Sequence, residues 1–265
     1  MDKVYNRNLI LILVYLIVDT IFLAGYMFMV IFQREGYEPQ VYKDAYVYLV
    51  TFSFIFSNFL FMLWDKGELE NLLDNRLKGL GITKTILRYY RNLFIEIIIL
   101  AFVLVPLIIA IFIIGNLNHI NFVLPLFIQA AWGMAVLSIR GYLVTLKCDK
   151  LWKELFIILF MFTVIILTIV FLYFYSQYGR LVITTVYDND IPMGFFVNPL
   201  LTIVGLLYLQ TGSPTYIGYI PVIYTIGFCV FIFILSLLLT IKKVSYELGG
   251  KNIAKSSSGK NIEKA

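Results

Sequence analysis

Residues 93–115 read LFIEIIILAFVLVPLIIAIFIIG, twenty-three residues with a single charge, Glu96, near the start. At 1.5 Å of rise per residue, a helix of this length covers the ~30 Å of hydrocarbon in a bilayer. It is apolar on every side, which suits lipid or a bundle interior, not the surface of a soluble fold. Five more runs of this kind accompany it, at 9–32, 45–64, 122–146, 155–175 and 216–241. The composition agrees. Of 265 residues, 61% are hydrophobic and 14% charged, against about 25% charged in soluble domains. A soluble globule is excluded for lack of polar surface, and a disordered chain because the sequence is apolar and aromatic. The expected fold is an all-α membrane protein with six transmembrane helices. The first run is no removable signal peptide, because its apolar core is too long and no small-x-small site follows it.

A seventh apolar stretch, 195–209, is only about fifteen residues long, begins around Asn198-Pro199 and closes at Gln210-Thr-Gly-Ser-Pro214. That length fits a re-entrant or interfacial segment between spans five and six. The basic residues support this count. With six spans, seventeen Lys and Arg fall on one side and three on the other, Arg140 lying within span four. Lys and Arg mark the cytoplasmic side, so both termini are expected in the cytoplasm of a multi-pass plasma-membrane protein. A true span at 195–209 would place the six lysines of the tail outside. The chain then reads as one transmembrane domain over 1–248 and a polar, disordered cytoplasmic tail over 249–265.

The link between spans two and three, residues 65–92, is long and faces the cytoplasm in this topology. Leu69, Leu72, Leu73, Leu77 and Leu80 recur at i, i+3, i+4, i+8 and i+11, an apolar helical stripe. Gly79 and Gly81 break it, and a second helix from Lys84 onward, with Thr83 as N-cap, can run directly into span three. Such an amphipathic helix lies on headgroups or seats its leucines in a groove of another protein. Its acidic front, Asp65, Glu68, Glu70 and Asp74, is not drawn to an anionic leaflet, which weakens the passive reading.

Three ionisable residues fall in or near the spans: Asp19 at mid-span, and Glu96 and Arg140 nearer the cytoplasmic ends. Buried charges face a bundle interior. Asp19 could line a path, pair with Arg140 or hydrogen-bond a neighbouring helix; Glu96 and Arg140 could reach the interface or form an ordinary ion pair. His119 has no neighbouring ligands, and Cys148 and Cys229 give neither a disulfide framework nor metal spacing. Pro106 and Pro125 predict helix kinks, and Gly133 a close helix contact. Trp64, Tyr89, Tyr90, Trp152, Tyr173 and Tyr175 near span ends suit an interfacial belt.

The sequence Gly67-Glu68-Leu69-Glu70-Asn71-Leu72-Leu73, with Ile82-Thr83-Lys84-Thr85-Ile86-Leu87-Arg88 after it, resembles the coupling segment of permease subunits of type-2 ABC exporters. In that family G-T-L-E-x-L-L and S/T-R/K-x-x-I stand between spans two and three, both termini are cytoplasmic, and a re-entrant outer segment, often with Asn-Pro like Asn198-Pro199, lies between spans five and six. Here Glu68 replaces the usual Thr, and the connecting link is longer and lacks its Pro. The resemblance implies that Gly67, Glu68, Leu69, Glu70, Leu72 and Leu73 contact a separate ABC ATPase subunit, which carries the ATP and Mg. It also implies a second permease copy or a related permease around the path. This chain has no G-x-x-x-x-G-K-[ST] phosphate loop and is expected to be no enzyme, to hold no cofactor or metal and to bind no nucleic acid. Few polar groups in the spans favour a hydrophobic or amphipathic cargo: a peptide, a lipid-like molecule or a drug. The alternatives are a non-transporting immunity or sensor protein that binds a partner through 65–92, and a membrane enzyme, for which paired carboxylates and metal clusters are lacking.

Overall fold

A computed structural model of the chain describes residues 2–33, 38–64, 82–117, 121–146, 148–178, 183–186, 189–192, 198–211 and 219–259. In chain order these form α1 (Asp2–Gln33), α2 (Pro39–Leu63), α3 (Ile82–Phe102), α4 (Val105–Ile114), α5 (Val123–Val144), α6 (Lys150–Tyr178), β1 (Ile183–Val186), β2 (Asn189–Pro192), α7 (Pro199–Gln210) and α8 (Ile220–Gly259). Among the described residues, six helical stretches are long and apolar enough to cross a membrane, α3 and α4 together forming the third. The helices overrun most of the apolar cores read from the sequence. Lipid offers no partners for peptide groups, so each helix must stay intact until it has left the hydrocarbon. α8 continues to Gly259, into the stretch 249–265 read as a disordered tail.

The third span is broken where proline requires it. Pro106 has no N–H to offer the Phe102 carbonyl, and its ring crowds that oxygen. α3 ends at Phe102, and α4 restarts at Val105 with Pro106 in its first turn. Bonds from Val103 N to Ile99 O (2.9 Å) and from Ile108 N to Leu104 O (3.1 Å) hold the two pieces together. Pro125, by contrast, falls in the first turn of α5, where its missing N–H has no helical partner to lose. It kinks nothing, and that expectation is corrected.

The all-α expectation needs one addition. β1 and β2 pair antiparallel, with Ile183 opposite Pro192 and Val186 opposite Asn189, a register that leaves a two-residue connection. Ile183, Thr184, Thr185 and Val186 are all β-branched, which favours a strand.

α5 is the central helix. Of its apolar stretch 72% is buried, against 17% in α1 and in α6. It packs on α2, α3, α6, α7 and α8. Gly133 makes this possible: a Cβ there would lie 2.7 Å from Phe61 Cζ and 3.1 Å from Ile97 Cγ2. At Gly115 a Cβ would lie 2.4 Å from Tyr42 Cβ, an atom fixed to the backbone of α2. Gly115→Ala is therefore expected to destabilise by about 1–3 kcal/mol. Gly25→Ala and Gly227→Ala, where nothing lies within 4 Å, should stay within about 1 kcal/mol of the parent. Thermal unfolding in lipid nanodiscs checks all three.

The aromatic belt is only partly a belt. Trp152 and Tyr173 are exposed, but Trp64, Tyr89 and Tyr90 are buried. The Tyr90 hydroxyl bonds Thr240 Oγ1 at 2.9 Å. Phenol and indole donors this far inside a bundle find protein partners in place of headgroups.

Candidate functional site

At one end of the bundle, called basal here, α1, α3 and α6 begin and α2 and α5 end. Arg140, near the end of α5, is buried there among the last carbonyls of α2. Its Nη1 donates to Phe61 O (2.5 Å) and Trp64 O (3.0 Å), and its Nη2 to Met62 O (2.7 Å) and to Glu154 Oε2 (3.1 Å). The final carbonyls of a helix have no amide partners of their own, and they form the negative end of its dipole. A guanidinium meets both needs, since its planar fork serves several acceptors at once. Lys153 does the same for α5, donating to Leu146 O (2.5 Å) and Val144 O (3.3 Å).

Trp64, the last described residue before the 65–92 segment, is held twice. Its carbonyl accepts from Arg140, and its indole Nε1 donates to Glu96 Oε2 at 3.1 Å. Asn8 Nδ2 donates to the same Glu96 oxygen at 2.9 Å, and Arg7 Nη2 reaches Leu63 O at 3.2 Å. Glu96 thus ties α1, α2 and α3 into one junction. On the far side of the segment, α3 starts at Ile82 and runs unbroken past Glu96 to Phe102, as the reading of a helix entering span three expects. Gly67, Glu68, Leu69, Glu70, Leu72 and Leu73 lie outside the described residues, as does the whole of 65–81.

The three intramembrane charges have different described partners. Arg140 pairs with Glu154, so the pairing with Asp19 left open by the sequence is not made. The sequence reading does not single out Glu154 or Asn8, and it assigns Trp64 to an interfacial belt. For Glu154 a signal existed: it is a carboxylate one turn inside α6, across a tight link from Arg140. Asn8 and Trp64 carry no such mark, because either would serve equally well at an interface.

Asp19 lies on the inner stripe of α1, formed by Asn8, Ile12, Tyr15 and Asp19, all buried. Their spacing of four, three and four residues puts them on one face. Leu9, Ile10, Leu13, Val14, Ile17 and Ile21 are exposed around it. Asp19 Oδ1 accepts from Ser53 Oγ (2.8 Å), Tyr15 donates its hydroxyl to Ser53 O (3.5 Å), and Gln129 Nε2 donates to the Tyr15 oxygen (2.6 Å). Asp19 is therefore part of a packed polar seam between α1, α2 and α5, with zero exposure.

The 195–209 stretch is described from Asn198, and it forms α7. Asn198 caps this helix, its side-chain oxygen accepting from Leu201 N at 3.1 Å. Its Nδ2 donates to Thr168 Oγ1 (2.8 Å) and Val164 O (3.0 Å) on α6, and Pro199 opens the helix. At the other end, Gln210 joins Tyr46 (3.0 Å) and Asn121 O (2.6 Å), and Lys43 Nζ reaches Thr211 O (3.2 Å). Tyr46, Lys43 and Asn121 lie where α2 and α5 begin, at the end opposite the basal one. Twelve residues rise about 18 Å, too little to cross a bilayer. Asn198 sits beside α6 ten residues before that helix ends. α7 thus runs from a point beside α6 within the bundle to the end opposite the basal one. Asn198→Ala removes a helix cap and two amide bonds and is expected to cost about 2 kcal/mol. Asn198→Ser, which keeps a capping oxygen, should recover part of this in the same unfolding assay.

Comparison with known protein families, with curated proteins and with solved structures finds no match. Among the described residues no group of three His, Cys, Asp or Glu side chains is placed to hold a metal ion.

Proposed function

We propose that the chain is the membrane subunit of an ATP-driven exporter of the type-2 ABC class, moved by a separate ATPase subunit through the 65–92 segment. The observation that carries this reading is the junction at the segment's base. Trp64 is fixed by Arg140 and Glu96, and α3 leads straight from the far end of the segment into the bilayer. A push on 65–81 would be delivered to α2 through Trp64 and to α3 through its first turns. Glu96, Asn8 and Glu154 would pass it to α1 and α6. The re-entrant α7 at the opposite end, together with the largely apolar spans, fits a path for a hydrophobic or amphipathic cargo. In this reading the chain does no chemistry itself; a partner binds ATP and Mg, and a second permease completes the path around the cytoplasmic-termini topology.

The test is co-purification from cells carrying the tagged full chain. An ABC ATPase and its ATP hydrolysis are expected with the parent chain. Both should be lost with Leu72→Asp plus Leu73→Asp, because two carboxylates would replace the anchors of a helix-in-groove contact. Retention of the ATPase and of transport by that variant overturns the reading. Loss of partner binding with no ATPase found in the parent points to a non-transporting partner-binding protein.

A further inference from the structure

Three donors of the seam around Asp19 are engaged within it. The Ser53 hydroxyl goes to Asp19 Oδ1, the Tyr15 hydroxyl to Ser53 O, and one Gln129 amide hydrogen to the Tyr15 oxygen. Two buried acceptors, Asp19 Oδ2 and Gln129 Oε1, have no hydrogen-bond donor among the described residues. Asp19, Tyr15 and Ser53 have zero exposure and Gln129 only 1%, so bulk water does not supply it. What the seam lacks is a hydrogen, or a positive charge.

The surroundings do not provide that charge. The groups that meet Asp19's network are Ser53 from α2, Gln129 from α5 and Tyr15 from α1 itself, all neutral. Arg140 is engaged by Phe61, Met62, Trp64 and Glu154 at the basal end. α3 brings Glu96 to Asn8, eleven residues below Asp19, about 16 Å along the helix. A bare carboxylate at this depth is strongly disfavoured. A metal ion would need a shell of oxygens and room for itself, whereas a proton needs no volume.

We propose that Asp19 is a proton-binding site and that its proton latches α1 to α2 and α5. With the proton on, Asp19 is neutral, Oδ2 becomes a donor, and the seam closes. With it off, an uncompensated charge faces Tyr15, and α1 is driven away from its neighbours. Because α1 is otherwise bordered by exposed apolar residues, this seam is its main polar tie at mid-span.

The full chain in nanodiscs, labelled with 4-¹³C-aspartate, tests this by infrared spectroscopy and thermal unfolding. A label-sensitive protonated-carboxyl band is expected at neutral pH. Asp19→Asn should abolish it and still melt close to the parent, since the amide mimics the neutral acid. On raising the pH, the parent should lose several degrees more than Asp19→Asn does, because only the parent acquires the charge. Absence of the band in the parent at neutral pH overturns the proposal. So does a melting temperature that rises when sodium, lithium or potassium replaces choline in the parent but not in Asp19→Asn; that outcome makes the site a metal-ion site. If Asp19→Asn does not fold, the labelled parent band alone decides.

Discussion

Arg140→Ala is expected to destabilise the bundle by about 3–5 kcal/mol, the range for removing one partner of a buried charged cluster. Three carbonyls, of Phe61, Met62 and Trp64, lose their donor. Glu154 loses its cation, although at 31% side-chain exposure it is partly solvated and accounts for the smaller share. Arg140→Lys should recover only part of the loss, because an ammonium cannot present the planar fork. The exchange Arg140→Glu plus Glu154→Arg is the sharper test. An ordinary ion pair would survive it. A helix cap would not, since a carboxylate at position 140 faces carbonyls. We expect the exchange to be at least as damaging as Arg140→Ala in nanodisc unfolding. Rescue by the exchange would reduce Arg140 to an ion-pair partner.

Gly133→Leu is expected to cost about 3 kcal/mol, near the upper end of overpacking effects. Its first side-chain atom would meet Phe61 Cζ at 2.7 Å and Ile97 Cγ2 at 3.1 Å. Phe61 is fully buried, so its ring has no open space to swing into. Gly133→Ala should be milder. Combining Gly133→Ala with Phe61→Leu should cost less than the sum of the two single changes, because the smaller side chain vacates the contested space. Strict additivity in that cycle would show that the two residues do not compete.

How far the sequence reached can be followed residue by residue. The six spans were legible because hydrocarbon thickness and helical rise fix a length, and apolar runs of that length have few other uses. The helix entering span three, read from Lys84 and found from Ile82, the close contact at Gly133 and the shortness of the 195–209 stretch followed in the same way. The hairpin at Ile183–Pro192 was not anticipated; its four β-branched residues in a row favour a strand, but they lie outside the apolar runs on which the reading rested. Pro106 and Pro125 looked alike in sequence. Only their positions in finished helices, one interior and one in a first turn, separate a break from a harmless start.

The polar residues show where sequence stops. A buried polar group must find a partner, and the sequence states that need without naming the partner. Asp19, Glu96 and Arg140 were all visible as charges requiring satisfaction. That Asp19 takes Ser53, Glu96 takes Asn8 and Trp64, and Arg140 takes three carbonyls and Glu154 depends on which helix faces meet. Apolar length and hydrophobicity are sums over local residues, so the chain alone determined a membrane bundle with its six spans and a seventh apolar stretch too short to cross. Helix rotation and neighbour choice come from packing between segments far apart in sequence. Only the tertiary structure therefore decided that Arg140 caps α2, that Trp64 anchors the 65–92 segment, and that Asp19 lies in a sealed seam.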